Sequence, residues 1–240
     1  MKAYEVIYQT IENSILKGEY GPGDFLPSEN QYVKQFKVSR DTVRKALNLL
    51  MTNGYIQKIH GKGSMVLKRE QLRFPISGLT SYKELQQAYG YDSITDVVSL
   101  ETIKISEDLS RLTGFEKDED VWKIIRTREI DHQKVIRDTD YLLCRLIPNL
   151  TREIGEDSIY KHIEKELNLQ ISFAEKEIRV VPLNQLDKDH LDLNSQDNNI
   201  VSIQSRVFLA NAEQFQYTES RHRVDKFLFY DFARRNPSTI

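Results

Sequence analysis

In the opening segment YEVIYQTIENSILKGEY, Val6, Ile7, Ile11 and Ile15 recur at helical spacing, and Gly18 is suited to ending the helix. A turn segment, GPGDFLPSEN, follows, and Ser28 then caps a second helix whose apolar side is Tyr32, Val33 and Phe36. Ser39 caps a third. There Val43, Ala46, Leu47 and Leu50 repeat at steps of three and four before the Asn53-Gly54 stop. The period then changes. YIQKIHGKGSMVL is two short apolar-rich runs around His60, Gly61, Lys62 and Gly63, the pattern of a hairpin with a basic, glycine-hinged tip. Three helices and a β-hairpin wing are therefore predicted for residues 1–68. The charged, proline-bearing stretch KREQLRFP shows no period, and residues 69–77 are read as a linker.

From residue 78 to 240 the pattern is mainly that of strands. TDVVSLETIKI alternates, VWKIIRTREIDHQKVIRDTDYLL reads as two strands about a turn, and EKEIRVVPL, VSIQSRVFLA and FQYTESRHR follow as three more. SEDLSRLTG, SIYKHIEKEL and NQLDKDHLDL are predicted as short helices between them. Strands with inserted helices argue for an α+β domain on a largely antiparallel sheet.

Charge separates the two regions. Residues 1–73 hold 12 Lys and Arg against 7 Asp and Glu, whereas the remainder holds 22 against 29. A basic first domain is the one suited to a polyanion. No apolar run is long enough for a membrane span, and the polar opening MKAYEVIYQT lacks a signal-peptide core, so a cytoplasmic protein is expected. The single cysteine, Cys144, excludes an intrachain disulfide, and its apolar neighbours Leu142 and Leu143 suggest a buried structural thiol.

On the third helix Arg40 and Arg44 stand one turn apart, beside the apolar stripe. There an arginine can take a guanine edge bidentately. Ser39 and Thr42 can reach phosphate or base, and His60 and Lys62 at the wing tip supply donors near a minor groove. Asp41 and Lys45, four residues apart, are read as surface decoration. The run LPSENQYVKQFKVSRDTVRKALNLLMTNGYIQKIHGKGSMV resembles the winged helix-turn-helix of the GntR family of bacterial repressors, through LPSE, SR-x-TVR, AL-x-x-L and GKGxxV. That resemblance implies contacts to double-stranded operator DNA from Ser39, Arg40, Thr42, Arg44, His60 and Gly61. Asn30 stands where some relatives place a DNA-contacting arginine.

In VWKIIRTREI alternation puts Trp122, Ile124, Arg126, Arg128 and Ile130 on one face. With a three-residue loop, His132 to Lys134, Asp131 pairs with Val135, which sets Arg128 opposite Asp138 and Arg126 opposite Asp140. Such a ladder suits an ordinary set of cross-strand pairs as well as an anion site. Gln216, Thr218, Ser220 and His222 alternate onto one strand face suited to sugar hydroxyls, and Ser158 opens a helix whose N-terminus favours an anion.

This region resembles the UTRA effector domain of HutC-type GntR repressors, a chorismate lyase-like fold. The likeness implies effector contacts at Ser81, Arg126, Arg128, Asp138, Ser158 and Tyr160, with Gln216 in place of a glutamate and His222 in place of a tyrosine. GLTSYKEL, FQYTESRHR and KFLFYDFARR are most similar to family members that control trehalose operons in Gram-positive bacteria. A homodimeric repressor released from operator DNA by trehalose 6-phosphate is the implied function, with another sugar phosphate or a carboxylate as the alternative effector. The fold relatives also leave a lyase-like enzyme as a rival. However, no nucleophile with base and orienter is visible, and the five histidines form no metal cluster, so neither catalysis nor a metal or cofactor is expected.

Overall fold

The computed structural model describes residues 2–68, 79, 83–84 and 93–229. The described residues up to Lys68 and those from Leu79 onward fall in two compact units. Ser81, the 69–77 segment and the residues after Phe229 lie outside the described set.

The first unit contains α1 (Ala3–Leu16), α2 (Glu29–Phe36), α3 (Arg40–Thr52), and the hairpin β1 (Ile56–Ile59) with β2 (Gly63–Val66). Its core brings together Ile7, Ile11, Tyr32, Val43, Leu50 and Ile56, so the predicted stripes are the buried ones, except that Val6 is exposed. Both glycine stops are observed as the reciprocal bonds of a Schellman cap. Glu19 N–H donates to Ser14 C=O and Gly18 N–H to Ile15 C=O after α1, and Tyr55 to Leu50 with Gly54 to Met51 after α3. The tight turn from α2 to α3 uses Lys37 in the left-handed region (φ 53°), where no glycine marks it in the sequence. The segment before α2 is more than a turn. Phe25 bridges Met65, Leu26 N–H donates to Ser64 C=O and Val66 N–H to Asp24 C=O, so this segment is tied to the edge of the two-stranded wing by a single antiparallel bridge.

The second unit is a six-stranded, wholly antiparallel sheet of β3 (Ser93–Lys104), β4 (Asp120–Ile130), β5 (Gln133–Leu143), β6 (Ile171–Pro182), β7 (Asn199–Leu209) and β8 (Gln214–Arg223), in the order β3-β4-β5-β8-β7-β6. Among the described residues four short helices with defined bounds are inserted: α4 (Glu107–Thr113), α5 (Arg152–Asp157), α6 (Ile159–Lys161), which continues into a π-helical turn, and α7 (Gln185–His190). Every strand and helix expected from the pattern is present. One sheet face packs Val97, Ile124, Leu142 and Phe215 against Ile159 and Ile163.

The other face carries a buried charge cluster that periodicity does not reveal. Arg137 on β5 and Arg221 on β8 are direct cross-strand partners, an unfavourable like-charge pairing by itself. Asp187 of α7, fully buried, accepts from both guanidinium groups at 2.8–3.1 Å, and also accepts from Asn184 N–H at the start of its own helix. Burial opposes its ionisation, but the Arg221 and Arg137 bonds outweigh that and hold the carboxyl below the ordinary aspartate range. Asp187→Ala should therefore cost about 3–5 kcal/mol of unfolding free energy in urea titrations, because two buried arginines lose their shared partner. Asp41→Ala, removing the exposed 3.2 Å pair with Lys45, should cost under about 0.5 kcal/mol, and comparable losses from the two would refute this account.

Candidate functional site

On the first unit, the residues expected to face DNA are all at the surface. Ser39 caps α3 by accepting from Thr42 N–H at 3.2 Å, and the two hydroxyls share a 2.9 Å hydrogen bond, which fixes both at the helix start. Arg40 and Arg44 project from the exposed side of the same helix, and Asn30 is exposed on the second residue of α2. Ile59 pairs with Gly63, leaving His60, Gly61 and Lys62 as an exposed three-residue tip. Gly61 (φ 72°) and Gly63 (φ 111°) occupy the left-handed region that this tight loop requires.

On the second unit, the site is built on the sheet face that α5 and α6 cover. The β4–β5 connection differs from the expectation. Its turn has two residues, Asp131 and His132, both at positive φ (51° and 61°), the geometry that suits a two-residue hairpin. Ile130 therefore pairs with Gln133, and Val135 is extruded as a bulge between the pairs Glu129–Lys134 and Arg128–Ile136. Arg126 stands opposite Asp138, and Ile124 opposite Asp140, two residues away from the predicted register. The bulge has a second consequence. Without its extra residue Arg126 would face Arg137; with it, the arginines of β4 and the aspartates of β5 share a face.

The ion pairs themselves are the expected ones, reached diagonally. Arg126 donates to Asp140 Oδ2 at 2.8 Å, and Arg128 Nε to Asp138 Oδ2 at 3.0 Å, with all four residues buried. Arg126 also donates to Gly155 C=O of α5, and Arg128 to the Thr95 hydroxyl of β3. Gly155 is the residue that lets α5 approach this close, since a Cβ there would stand 2.6 Å from Ile124 Cδ1 and 2.9 Å from Val97 Cγ2. Neither Gly155 nor Thr95 carries a periodic or motif signal in the sequence.

β8 completes the ladder from the other side. Gln216 Nε2 donates to Asp140 Oδ1 at 2.7 Å, and Ser220 Oγ to Asp138 Oδ1 at 2.5 Å. Because the single Ser220 proton goes to the carboxylate, the 2.9 Å contact with His222 must be Nε2–H donating to Ser220 Oγ, which fixes the neutral tautomer. Burial lowers the His222 pKa to about 4, the Asp138 charge working against the shift and Arg128 with it. Burial also opposes ionisation of Asp138, but Arg128, Arg126 and Ser220 outweigh it and hold the carboxyl below its ordinary range. Thr218 lies opposite Asp140 on the same strand face.

Two polar atoms here have no partner. Arg126 Nε and Gln216 Oε1 are buried and make no hydrogen bond among the described residues, and both side chains are anchored on Asp140. Tyr160 contributes its charge-sensitive hydroxyl to the field of Asp140 and Arg126; burial first, then Asp140, raises its pKa. Ser158 is buried and accepts from Lys161 N–H at 3.2 Å, so its hydroxyl is engaged in capping.

A family model described as bacterial regulatory proteins, gntR family, matches residues 3–66, and one described as UTRA domain matches 88–228. The chain belongs to the GntR family of bacterial regulatory proteins. It is similar to the HTH-type transcriptional regulator TreR of Bacillus subtilis (strain 168), 48% identical over 229 residues, covering 95% of this chain and 96% of that one. The second unit of this GntR regulator is similar to the solved B. subtilis trehalose repressor (TreR) effector binding domain, with 45% identity, a TM-score of 0.55, and coverage of 60% and 99%. Over its whole length it is similar to the crystal structure of the possible transcriptional regulator YydK from B. subtilis, with 26% identity, a TM-score of 0.79, and coverage of 98% and 100%. These relatives are transcriptional regulators, which sets the lyase-like reading aside. Cys144 of this GntR regulator is half-buried, less than the buried thiol expected from its apolar neighbours, and burial raises its pKa. Among the described residues no helix is long and apolar enough to cross a membrane.

The buried imidazole sets a pH dependence. Unfolded, His222 takes its proton near pH 6.5; folded, not until about pH 4, so the unfolded state binds more protons between these values. Stability should fall by roughly 3 kcal/mol as pH drops from 6.5 to 4. Urea midpoints across this range should fall less steeply for His222→Gln than for the wild type, and equal slopes would contradict the assignment.

Proposed function

We propose that this GntR regulator represses a trehalose utilisation operon and leaves its operator when trehalose 6-phosphate occupies the second unit. In this reading residues 1–68 read DNA, 69–77 link, and 78–240 bind the effector and hold a homodimer. Ser39, Arg40, Thr42 and Arg44 on α3, with His60, Gly61 and Lys62 of the wing, make the DNA contacts. A homodimer matches the family's mode of reading, since a single recognition helix spans one half-site.

The observation that carries the effector reading is the pair of orphaned atoms beside Asp140. One is a donor, Arg126 Nε, and the other an acceptor, Gln216 Oε1. A hydroxyl both donates and accepts, so the hydroxyls of a sugar suit a site that offers one donor and one acceptor. An unsatisfied buried polar atom costs about 1–3 kcal/mol, which ligand binding would recover. Arg128, Asp138, Ser158, Tyr160, Gln216 and His222 complete the proposed site, together with Ser81. The disaccharide is supported by the similarity to a trehalose repressor effector binding domain, and the phosphate rests on the paired arginines alone. Gln216 and His222 supply neutral groups where an amino sugar would call for charge, consistent with a neutral disaccharide body.

The full chain should bind a duplex selected from a random palindromic pool, and saturating trehalose 6-phosphate should weaken that binding by at least about tenfold, a coupling of typical size. Trehalose lacking the phosphate should have little effect. Arg126→Gln should leave DNA affinity without ligand intact and abolish the response. Undiminished gel-shift binding at saturating trehalose 6-phosphate would overturn the effector assignment.

A further inference from the structure

Glu29, the first residue of α2, lies among the groups that face DNA, although a carboxylate there works against a phosphate backbone. Its Oε2 accepts from Arg44 Nε at 2.9 Å, and its Oε1 from Lys58 Nζ of β1 at 3.3 Å. Burial at the helix start opposes its ionisation, yet the Arg44 and Lys58 bonds hold the carboxyl below the ordinary glutamate range. The carboxylate is mostly covered, 24% exposed, whereas Arg44 and Lys58 are 58% and 63% exposed. Exposed ion pairs contribute little to stability. The arrangement has a geometric effect instead. An arginine can grip guanine through its two terminal amines or through one amine and Nε. In this chain Nε is occupied, and the two terminal amines of Arg44 make no hydrogen bond among the described residues.

We infer that Glu29 is a positioning residue for sequence reading: it holds Arg44 by Nε so that the terminal amines meet a guanine O6 and N7 end-on, and it ties the wing to α3 through Lys58. The inference rests on the DNA-reading role proposed above. Arg44 touches the base; Glu29 acts through it. The carboxylate then weakens general attraction to DNA and strengthens discrimination, so its removal moves the two in opposite directions. Specific affinity falls while binding to unrelated duplex stays level or tightens.

The test uses full-length protein and fluorescence anisotropy. Duplexes are first selected from a random palindromic pool with the wild type, and the guanine read by Arg44 is located as the position where Arg44→Ala loses preference. Glu29→Ala should reduce discrimination against adenine at that position about tenfold, with scrambled-duplex affinity unchanged or higher. Replacing that guanine by 7-deazaguanine should weaken wild-type binding and leave Glu29→Ala binding almost unaffected. Glu29→Gln, which keeps a carbonyl acceptor for Nε, should retain most of the discrimination. Adding Glu29→Ala to Arg44→Ala should cause no further loss, since the two act as one unit. Melting temperatures accompany each variant, and if Glu29→Ala unfolds, Glu29→Ser, whose hydroxyl is too short to reach Arg44 Nε, takes its place in every comparison, including the double mutant. Full discrimination in Glu29→Ala, equal loss on all sequences, or additive losses in the double mutant would overturn the inference. A wild type that selects no sequence from the pool would instead overturn the DNA-reading role itself.

Discussion

The second unit depends on one backbone irregularity, the bulge that extrudes Val135 between β4 and β5. Because side chains alternate between sheet faces, a single inserted residue decides which groups meet. With it, Arg126 and Arg128 share a face with Asp138 and Asp140, and Arg137 is sent to the other side with Arg221. One face thereby receives the pair Arg126 and Arg128, and the other the pair Arg137 and Arg221, with Arg223 buried beyond them on Asp225. The two sets are resolved differently. On one side Asp187 of α7 closes the cluster, taking both arginines onto a single carboxylate and sealing them under a capped helix. On the other, two aspartates balance two arginines, and a donor and an acceptor are left over. Buried polar groups are ordinarily satisfied, so the first arrangement is closed on itself, whereas the second is what supports the proposed effector site.

The same ladder explains how a neutral imidazole can stand beside a carboxylate. His222 passes a hydrogen bond through Ser220 to Asp138, while Arg128 already compensates the carboxylate charge. Protonating the ring would add a buried charge beside the Arg128 guanidinium. The site thus combines compensated charges with neutral hydrogen-bonding groups, a chemistry suited to a polyhydroxylated anion and less suited to a cationic sugar.

The sequence shows the architecture well because its signals are local. Ser28, Ser39, Gly18 and Gly54 mark helix ends, strand alternation marks the sheet, and the glycine-hinged basic tip marks the wing. What it hides is set by context. Asp131 and His132 adopt left-handed turn geometry without glycine or asparagine, so the hairpin read as three residues has two, and the bulge that restores the face has no sequence mark. The Arg126–Asp140 and Arg128–Asp138 pairs were anticipated from an incorrect register, since long guanidinium side chains reach a diagonal neighbour as easily as a direct one. Gly155 looks like any small helix residue until Ile124 and Val97 are seen beneath it. The same holds for Glu29, which reads as a helix-start acid and is found between Arg44 and Lys58.

In the proposed function, effector binding satisfies the groups orphaned beside Asp140. Nitrogen-detected spectra of the Arg126 Nε–H in the full-length protein test it most directly. Trehalose 6-phosphate should shift this resonance and slow its exchange with solvent, with a matching change at the Gln216 side-chain amide. Saturating binding of the ligand that leaves the Arg126 Nε–H shift and exchange rate unchanged would contradict the account.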